Sequence, residues 1–350
     1  MARFHVIQFI REQRKTLPVC FSDVSSKAIM LTGSNVGIGL EASVHFACMR
    51  PKLVLTTCRD EEKCQRTREV ILERAGLDNP PEDGTGVASW PLDLSTFDSV
   101  REFASRFAAE ALVGAQLNVL IANAGVNMLH YIKTKDDWEL MIQVNYLSTA
   151  LLSILMLPYL IKSSSVESPS HLVVVSSFGH YFGSRKLTGA EKWSSILGTI
   201  NEKKFCGIVH RYFLSKLLGI MFIRELVARL PKSTPVVACT VNPGLCRSRI
   251  FRNTETKWYT RPVASFLKYS PLSRTSEEGS RTLLHAAIGG EDNVIHGRYL
   301  SGCKVLEESS YVFTPEGKAF SKRLWTETID LLSKVDSRVP EIIKQNLRVD

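Results

Sequence analysis

A tyrosine and a lysine stand four residues apart in a strongly apolar stretch, at Tyr212 and Lys216 of HRYFLSKLLG. The surrounding segment, IVHRYFLSKLLGIMFIRELVARL, is apolar on almost every side, as is typical of a helix in a core or an interface. Residues four apart share one face of a helix, and a buried ammonium is costly unless it has a partner. The spacing indicates either a functional pair or a core tyrosine beside a lysine that reaches water.

The chemistry available to such a pair is proton transfer. Hydride transfer to a carbonyl leaves an alkoxide that needs a proton, and a tyrosine with its ordinary pKa near 10 can supply it. A nearby cation stabilises the phenolate, so we expect Lys216 to lower the pKa of Tyr212 towards working pH. Tyr212 would be the general acid in a reduction and the base in an oxidation, while Lys216 can also hydrogen-bond a nicotinamide ribose.

The elements that must position this pair alternate along the first 250 residues. Short β-branched runs are separated by helical patterns, and these runs are KAIMLTG, KLVLTTCR, VASWPLD, LNVLIANAG, HLVVVSS and TPVVACTVNP. Such alternation predicts an α/β fold with a doubly wound parallel sheet of the Rossmann type. We expect a single domain over residues 27–303, preceded by an N-terminal arm (1–26) and followed by a packed C-terminal tail (304–350).

A glycine-rich loop, TGSNVGIGLEA, follows the first predicted strand. Glycines in such a loop allow a tight turn and close approach to a phosphate, and the helix that follows offers free amides to a pyrophosphate. Its place in the first βα unit of an alternating pattern supports nucleotide binding. We expect cofactor contacts from Gly33, Ser34, Asn35, Gly37, Ile38 and Gly39.

The end of the second predicted strand carries the signal for the type of nicotinamide cofactor. An acidic residue there would hold the ribose hydroxyls of NAD, but this sequence has Cys58 followed by Arg59. A forked guanidinium suits a 2′-phosphate, which favours NADP(H) over NAD(H). The structural alternative is an ion pair of Arg59 with Asp60 or Glu61.

Several motifs, in order, resemble the short-chain dehydrogenase/reductase family. They are the TGxxxGxG spacing at 32–39, PLDL with Asp93, NAG at 123–125, VVVSS ending at Ser177, YFLSK, and VNPG at 241–244. The resemblance covers roughly residues 27–303. The long gap from Ser177 to Tyr212 resembles the branch with retinol dehydrogenases and the WW-domain oxidoreductase. TGSNVGIGLEA, VNPGLCRS, SEEGSRTLLHAA and HGRYLSGCKV look most like fungal members, many of which serve secondary-metabolite pathways.

The resemblance implies catalytic roles for four residues. Ser177 would orient the substrate oxygen, and its neighbour Ser176 is expected to point to the opposite face of the strand. Asn145 would hold a water beside Lys216, while local helix distortion is the alternative reason for this buried amide. Together with Tyr212, these residues form the expected catalytic set of Asn145, Ser177, Tyr212 and Lys216.

The resemblance also implies cofactor contacts further along the chain. Asp93 and Leu94 would border the adenine, and Asn123, Ala124 and Gly125 would line the adenosine ribose side. Pro243 and Gly244 would close over the nicotinamide. Val36 stands where a second basic residue is often found, and Ser248 where many relatives have threonine.

The region of about 250–275 occupies the place of the family's variable substrate lid. Apolar side chains in it could cover a lipophilic ligand, namely those of Trp258, Tyr259, Phe266, Leu267 and Tyr269. The same basic and aromatic mixture leaves contact with a membrane surface open. A helix pair that packs on the domain is the simplest alternative.

Composition sets the remaining limits. The net charge of +9 comes from scattered residues without a nucleic-acid-binding motif, and the eight cysteines show no CxxC or zinc spacing. We therefore expect no metal, no nucleic acid and a reducing, cytoplasmic location, with peripheral membrane association left open. The run YLSTALLSILMLPYLI is interpreted as a buried helix rather than a transmembrane span. His130, His180 and His210 are interpreted as structural or substrate-lining at most.

The combined prediction is an NADP-dependent oxidoreductase that acts on a ketone, aldehyde or alcohol of a lipophilic molecule, with secondary metabolism of the terpenoid or polyketide type as its setting. A retinoid- or steroid-type dehydrogenase, a catalytically silent nucleotide-binding scaffold and a related epimerase or dehydratase are the alternatives. The sequence does not determine the substrate, the direction of the reaction or its stereochemistry. It also leaves open whether the chain forms a homodimer through the helix that carries Tyr212.

Overall fold

The protein, as a computed structural model, is described here for residues 6–77, 86–110, 114, 116–247, 270 and 272–348. Within these residues the strands form one sheet in the order β3-β2-β1-β4-β5-β6-β7-β8. Neighbours from β3 through β7 pair in parallel, and β8 pairs antiparallel with β7. The predicted doubly wound parallel sheet is confirmed. The strands are β1 (Ala28–Thr32), β2 (Leu53–Cys58), β3 (Gly86–Pro91), β4 (Val119–Ala122), β5 (Ser170–Val175), β6 (Val236–Asn242), β7 (Tyr299–Ser301) and β8 (Lys304–Leu306).

Helices lie on both faces of the sheet. A π-helical turn (Gln143–Leu147) joins α5 to α6, and 3-10 turns occupy Phe178–Lys186, Ala190–Lys192 and Ser310–Phe313. The helices are α1 (Val6–Gln13), α2 (Gly37–Cys48), α3 (Glu61–Ala75), α4 (Phe97–Ala109), α5 (Leu140–Ile142), α6 (Ser148–Lys162), α7 (Ile196–Asn201), α8 (Ile208–Arg229), α9 (Ser276–Leu284), α10 (Asp292–Ile295), α11 (Pro315–Val335) and α12 (Arg338–Asn346).

Successive side chains of a strand point to opposite faces, and this alternation divides the core in two. Met30 packs in an apolar cluster with side chains of α4, α6 and α8. Its neighbours Ile29 and Leu31 pack in a second cluster with side chains of α2 and α9. Because both faces are covered, every residue of β1 is buried, as a parallel sheet requires.

The segment Leu140–Lys162 is long and apolar enough to cross a membrane by length and composition alone. In the folded chain 94% of its most apolar window is buried inside the protein. Its side chains belong to the same core cluster as Leu214 and Leu217 of α8. The segment is therefore the central helix against which α8 packs.

The C-terminal helix α11 packs beside α8. Trp325 stacks on Phe222 with ring centres 5.5 Å apart, and the hydroxyls of Tyr146 and Thr328 hydrogen-bond at 2.7 Å. The stretch from Phe178 to Cys206 contains the long 3-10 turn and α7. Glycine at 183 allows this turn to lie against α8, because a Cβ there would stand 2.8 Å from the Leu217 Cβ.

Candidate active site

A cleft of about 330 Å³ opens where β1, β2 and β4 end and α2 begins. Parallel strands bring their carboxyl ends to one edge, where α/β folds bind ligands. Ser34 lies outside the cleft, since it is fully buried and its Oγ donates to the Leu31 carbonyl at 3.2 Å. The predicted cofactor residues that line the cleft are Gly33, Asn35, Gly37, Ile38, Gly39, Arg59, Asp93, Leu94, Asn123, Ala124 and Gly125.

The glycine loop leaves room for backbone contact with a ligand. Gly33 has a φ of +70°, and a Cβ on it would stand 2.8 Å from the Ala124 Cα. A Cβ on Gly39 would stand 2.5 Å from the Gly33 carbonyl oxygen. Val36 is the N-cap residue of α2, and its apolar side chain accepts no hydrogen bond from the backbone amides of the first helical turn. These amides are therefore left without a side-chain partner where α2 borders the cleft. This chemistry fits a pyrophosphate.

The NAG turn is tied to the end of β1. The Asn123 side-chain amide donates to the carbonyls of Thr32 and Gly33 at 2.9 and 3.1 Å, and the Ala124 amide donates to the Thr32 hydroxyl at 3.0 Å. On the far side of the cleft, the Asp93 carboxylate accepts from the Ser95 amide at 2.9 Å. These bonds fix the loops that border the cleft.

Two cations flank the cleft at the end of β2. Arg59 is exposed and lines it, as does Lys63 from the first turn of α3. The Asp60 carboxylate caps α3 by accepting from the Lys63 amide at 2.9 Å and also pairs with the Lys63 ammonium. Among the described residues Arg59 forms no ion pair with Asp60 or Glu61, which was the structural alternative. The sequence analysis did not predict Lys63 as a cofactor residue. Its position four residues after Arg59, in the first turn of the following helix, could have indicated a second cation near the same strand end.

Ser177 and Tyr212 meet at the end of β5. The Ser177 side chain accepts from the Gly179 amide at 3.2 Å and lies close enough to Tyr212 to oppose the rise of the Tyr212 pKa. Ser176 contacts the same helix one turn further on, where its buried Oγ donates to the Lys216 carbonyl at 3.1 Å.

Lys216 is buried, with 5% of its surface exposed. Its ammonium donates to the Val175 carbonyl at 2.9 Å and lies 5.9 Å from the centre of the Tyr212 ring. A Cβ on Gly125 would stand 3.2 Å from both the Lys216 Nζ and the Asn145 Oδ1. The NAG turn, the lysine and the asparagine therefore converge on one point between the cleft and the Ser177–Tyr212 pair.

Asn145 sits in the π-helical turn between α5 and α6. Its Oδ1 accepts from the Val126 amide at 2.8 Å, and its Nδ2 donates to the Val126 carbonyl at 2.9 Å and to the Ser215 Oγ at 3.0 Å. The local helix distortion that was the alternative reason for this buried amide is present, and the bonds of the amide go to Val126 and Ser215. A π turn of this kind often marks a functional site.

The expected lowering of the Tyr212 pKa is wrong. Burial raises the pKa of Tyr212 to about 12, an effect that the hydrogen bond with Ser177 only partly opposes. Burial also lowers the pKa of Lys216 to about 8. The physical reason is that desolvation disfavours the charged form of each group, and the sequence does not reveal how deeply either lies.

The His180 side chain hydrogen-bonds the backbone carbonyl of Ser177. Its Nε2 accepts from the Ser309 amide at 3.1 Å, so its Nδ1 carries the proton and donates to the Ser177 carbonyl at 2.7 Å. The ring lies between Tyr181 and Tyr299, with centroids 4.1 and 4.5 Å away. Burial lowers the pKa of His180 to about 4, so the ring stays neutral at physiological pH. The sequence interpretation of a structural histidine missed this link to the serine.

The remaining predicted residues lie past β6 or outside the described residues. Gly244 has a φ of +84° and donates its amide to the Asn242 side chain at 3.1 Å, and the residue before it is the buried Pro243. Within the described part of the chain, no three His, Cys, Asp or Glu side chains cluster as metal ligands. The predicted positions that fall outside the described residues are Ser248, Trp258, Tyr259, Phe266, Leu267 and Tyr269.

Comparison with known proteins gives a consistent set of relatives. Residues 27–185 match the short chain dehydrogenase family model. A short chain dehydrogenase of Arthrobotrys oligospora is 34% identical over 91% of this chain and 96% of its own length, and mouse retinol dehydrogenase 12 is 34% identical over 90% and 89%. A short chain dehydrogenase structure from Shigella flexneri, complexed with NADP, is similar with a TM-score of 0.55 and 20% identity over 81% and 100% of the two chains.

The burial of the Lys216 side chain leads us to predict that the free energy of unfolding depends on pH. Because the Lys216 pKa falls from 10.5 to about 8 on folding, the unfolded chain binds more protons between these pH values. The free energy of unfolding should therefore rise with pH across this window, by about 2 to 3 kcal/mol more than in Lys216→Met. Urea unfolding at pH 7 to 10 measures the difference. Parallel pH profiles for the two proteins would contradict the assignment.

Proposed function

This chain belongs to the short-chain dehydrogenase family, and from that premise we propose that it transfers a hydride between NADP(H) and a carbonyl or alcohol group of a lipophilic small molecule. The observation that carries the proposal is the Tyr212 phenol beside the Ser177 side chain, with the buried Lys216 ammonium 5.9 Å from the centre of the Tyr212 ring. This group stands at the same sheet edge as the glycine-lined cleft. A proton donor and a nucleotide-shaped cradle are the two parts that such a reaction needs.

The nicotinamide group supplies or accepts the hydride when it is bound. In a reduction, Ser177 and Tyr212 bind the substrate oxygen by their hydroxyls, and Tyr212 gives its proton to that oxygen. The raised pKa of Tyr212 keeps this proton in place until the oxygen becomes strongly basic. Lys216 would hold the nicotinamide ribose, and Asn145 would keep the NAG turn and α8 in register through its bonds to Val126 and Ser215.

For the substrate, we propose a lipophilic ketone, aldehyde or alcohol of terpenoid or polyketide type. Support comes from the motifs shared with fungal members and from the similarity to a fungal short chain dehydrogenase. A retinoid-type alcohol or aldehyde is the second candidate, favoured by 34% identity to mouse retinol dehydrogenase 12. A silent nucleotide-binding scaffold is the competing function, and turnover distinguishes it from both.

Replacement of the proposed acid tests the reaction. Tyr212→Phe removes the hydroxyl and keeps the ring, so we expect NADPH consumption with a panel of ketones and aldehydes to fall by about a hundredfold or more. The dissociation constant for NADPH, measured by fluorescence titration, should change little. Phe213→Tyr, which alters the next ring on the same helix, is a matched control. Full activity of Tyr212→Phe would refute the acid, and NADPH binding by the wild type without any turnover would favour the scaffold.

The preference for NADP is proposed from Arg59 and Lys63, the two cations at the end of β2 that flank the cleft. A charged hydrogen bond to a 2′-phosphate is worth about 1.5 to 3 kcal/mol. Arg59→Asp should therefore raise the KM for NADPH about tenfold or more and lower the KM for NADH. Arg66→Ala is the control, because Arg66 is a nearby arginine on α3 that pairs with Glu62 at the surface and does not line the cleft. An unchanged NADPH to NADH ratio in Arg59→Asp would remove the phosphate role.

We further propose that His180 is a positioning residue for Ser177, since its Nδ1–H holds the serine carbonyl. In His180→Asn the amide nitrogen can replace Nδ1, whereas in His180→Gln the amide can replace only Nε2. We expect His180→Asn to keep kcat within about threefold and His180→Gln to lose about tenfold, because small displacements of a catalytic group reduce rate. KM for the carbonyl and the NADPH dissociation constant should stay near wild type in both.

Thermal unfolding provides the check on this pair of histidine variants. Both lose part of the same buried network, so both should be destabilised to a similar degree. Equal losses of kcat in His180→Asn and His180→Gln, in step with their stability, would mean that the histidine is only structural.

A further inference from the structure

The side chain of Gln13, the last residue of α1, is buried against the loop that follows β6 (243–247). Its Nε2 donates to the carbonyls of Leu245 and Leu272 at 3.0 Å each, and its Oε1 accepts from the Leu245 amide at 3.2 Å. These partners are backbone groups that lie 232 and 259 positions further along the chain. Gln13 therefore fixes the path of this loop without depending on the side chains of the loop.

Glycine at 244 lets the Gln13 amide approach the loop this closely. Gly244 has a φ of +84°, and a Cβ on it would stand 2.3 Å from the Gln13 Oε1 and 2.9 Å from the Arg274 Nη1. Its own amide donates to the Asn242 side chain at 3.1 Å. A larger residue at this position would both strain the backbone and displace the Gln13 side chain.

Arg274 ties the end of α1 to the same loop. Its guanidinium donates to the Glu12 carbonyl at 2.6 Å, and its backbone amide donates to the Leu245 carbonyl at 2.9 Å. A cation at this place bonds free carbonyls of the last helical turn and complements the helix dipole. The Leu245 carbonyl thus accepts from both Gln13 and Arg274, so α1 and the loop are held as one unit.

One end of the loop after β6 lies beside the candidate catalytic group. β6 is the neighbour of β5 in the sheet, and the Ser176 amide donates to the Val241 carbonyl at 2.8 Å. Val241 is the second-last residue of β6, and Ser177 directly follows Ser176. The loop therefore leaves the sheet next to Ser177.

The other end of the loop reaches the cleft. A Cβ on Gly279 of α9 would stand 2.4 Å from the Cys246 Sγ and 3.6 Å from the Ile38 Cγ1. Cys246 belongs to the loop, and Ile38 lines the cleft from the first turn of α2. The loop therefore extends from the strand end that carries Ser177 to the helix start where a pyrophosphate would bind.

This placement determines which part of a cofactor the loop can contact. Hydride transfer requires the nicotinamide ring to lie next to the carbon whose oxygen Ser177 and Tyr212 bind. The adenosine part would lie near Arg59, which follows β2, and β1, β4 and β5 separate β2 from β6 in the sheet. The loop after β6 therefore borders the nicotinamide half of the cofactor and not the adenosine half.

We propose that Gln13 is a positioning residue that holds the loop after β6 as the wall of the cofactor site on the nicotinamide side. The inference rests on the proposed function. Gln13 precedes residues 27–185, so this support comes from a part of the chain that the family model does not cover. Without the hydrogen bonds of Gln13, the loop would occupy the binding position for part of the time, and the cofactor would bind more weakly by that fraction.

Two ligands separate the halves of the site. NADPH contains both halves, whereas adenosine 2′,5′-bisphosphate contains the adenosine and the 2′-phosphate without the nicotinamide. Gln13→Met keeps the length of the side chain and removes its hydrogen bonds. In this variant we expect the dissociation constant for NADPH to rise about tenfold and that for the bisphosphate to change by less than about twofold. Calorimetric titration of the full chain measures both constants.

Gln8→Met is the matched control, because Gln8 is an exposed glutamine on the same helix. Both of its dissociation constants should equal those of the wild type. A purely structural role of Gln13 would lower the melting temperature of Gln13→Met and leave the ratio of the two constants unchanged. That result, or an equal rise for both ligands, would overturn the proposal.

Hydrogen exchange tests the wall in the wild type, so the proposal does not depend on the folding of Gln13→Met. Exchange of the peptide that contains Leu245 is followed by mass spectrometry with each ligand at saturation. NADPH should slow this exchange about threefold more than the bisphosphate does, because NADPH carries the group that packs on the loop. Equal protection by the two ligands would refute the wall.

Failure of the proposed function gives different results. A wild type that binds NADPH but reduces no carbonyl compound would refute the oxidoreductase, while the ratio of dissociation constants in Gln13→Met still decides the role of Gln13. A wild type that reduces carbonyl compounds but binds NADPH no more tightly than the bisphosphate would refute the wall alone. NADH and adenosine monophosphate replace the two ligands if Arg59 does not select for the phosphate.

Discussion

The contact between α8 and the carboxyl end of β5 is the constraint on which the site depends. Lys216 donates from its ammonium to the Val175 carbonyl, and its own carbonyl accepts from Ser176. One bond has its donor on the helix and the other has its donor at the end of the strand. Together they fix the position of α8 along the strand direction of the sheet. Tyr212, one turn earlier, is thereby placed against Ser177. A buried ammonium is costly, and the hydrogen bond to the Val175 carbonyl offsets part of that cost for Lys216.

The two chain extensions reinforce the same edge of the sheet. On one side α11 packs on α8 through Trp325, and Ser309 holds the His180 ring whose other nitrogen bonds Ser177. On the other side α1 reaches the loop after β6 through Gln13. The candidate site is therefore enclosed by segments that precede and follow the alternating βα units. A rigid surrounding of this kind suits chemistry in which hydroxyl positions decide the rate.

The sequence predicted the fold and most of the cleft because those signals are local. Alternating β-branched runs predict a parallel sheet wherever both faces are covered, and the TGSNVGIG loop stands at the first strand end. The pKa of Tyr212 was predicted in the wrong direction. A one-turn spacing to Lys216 reports proximity, but not the burial that raises the pKa of the phenol and lowers that of the amine. Lys63 was missed because only the residues directly after each strand were considered as cofactor ligands, and Lys63 lies in the first turn of the following helix.

What the sequence alone determined is the set of groups and their local spacing. It determined that Tyr212 and Lys216 share a helix face, because the helical period acts over a few residues. The tertiary structure decided which serine meets Tyr212, which carbonyl receives the Lys216 ammonium, and that His180 and Gln13 support the site. Ser177 and Tyr212 are 35 positions apart, Val175 and Lys216 are 41 apart, and Gln13 and Leu245 are 232 apart. No local period encodes such distances, and only the packing of the finished sheet selects them.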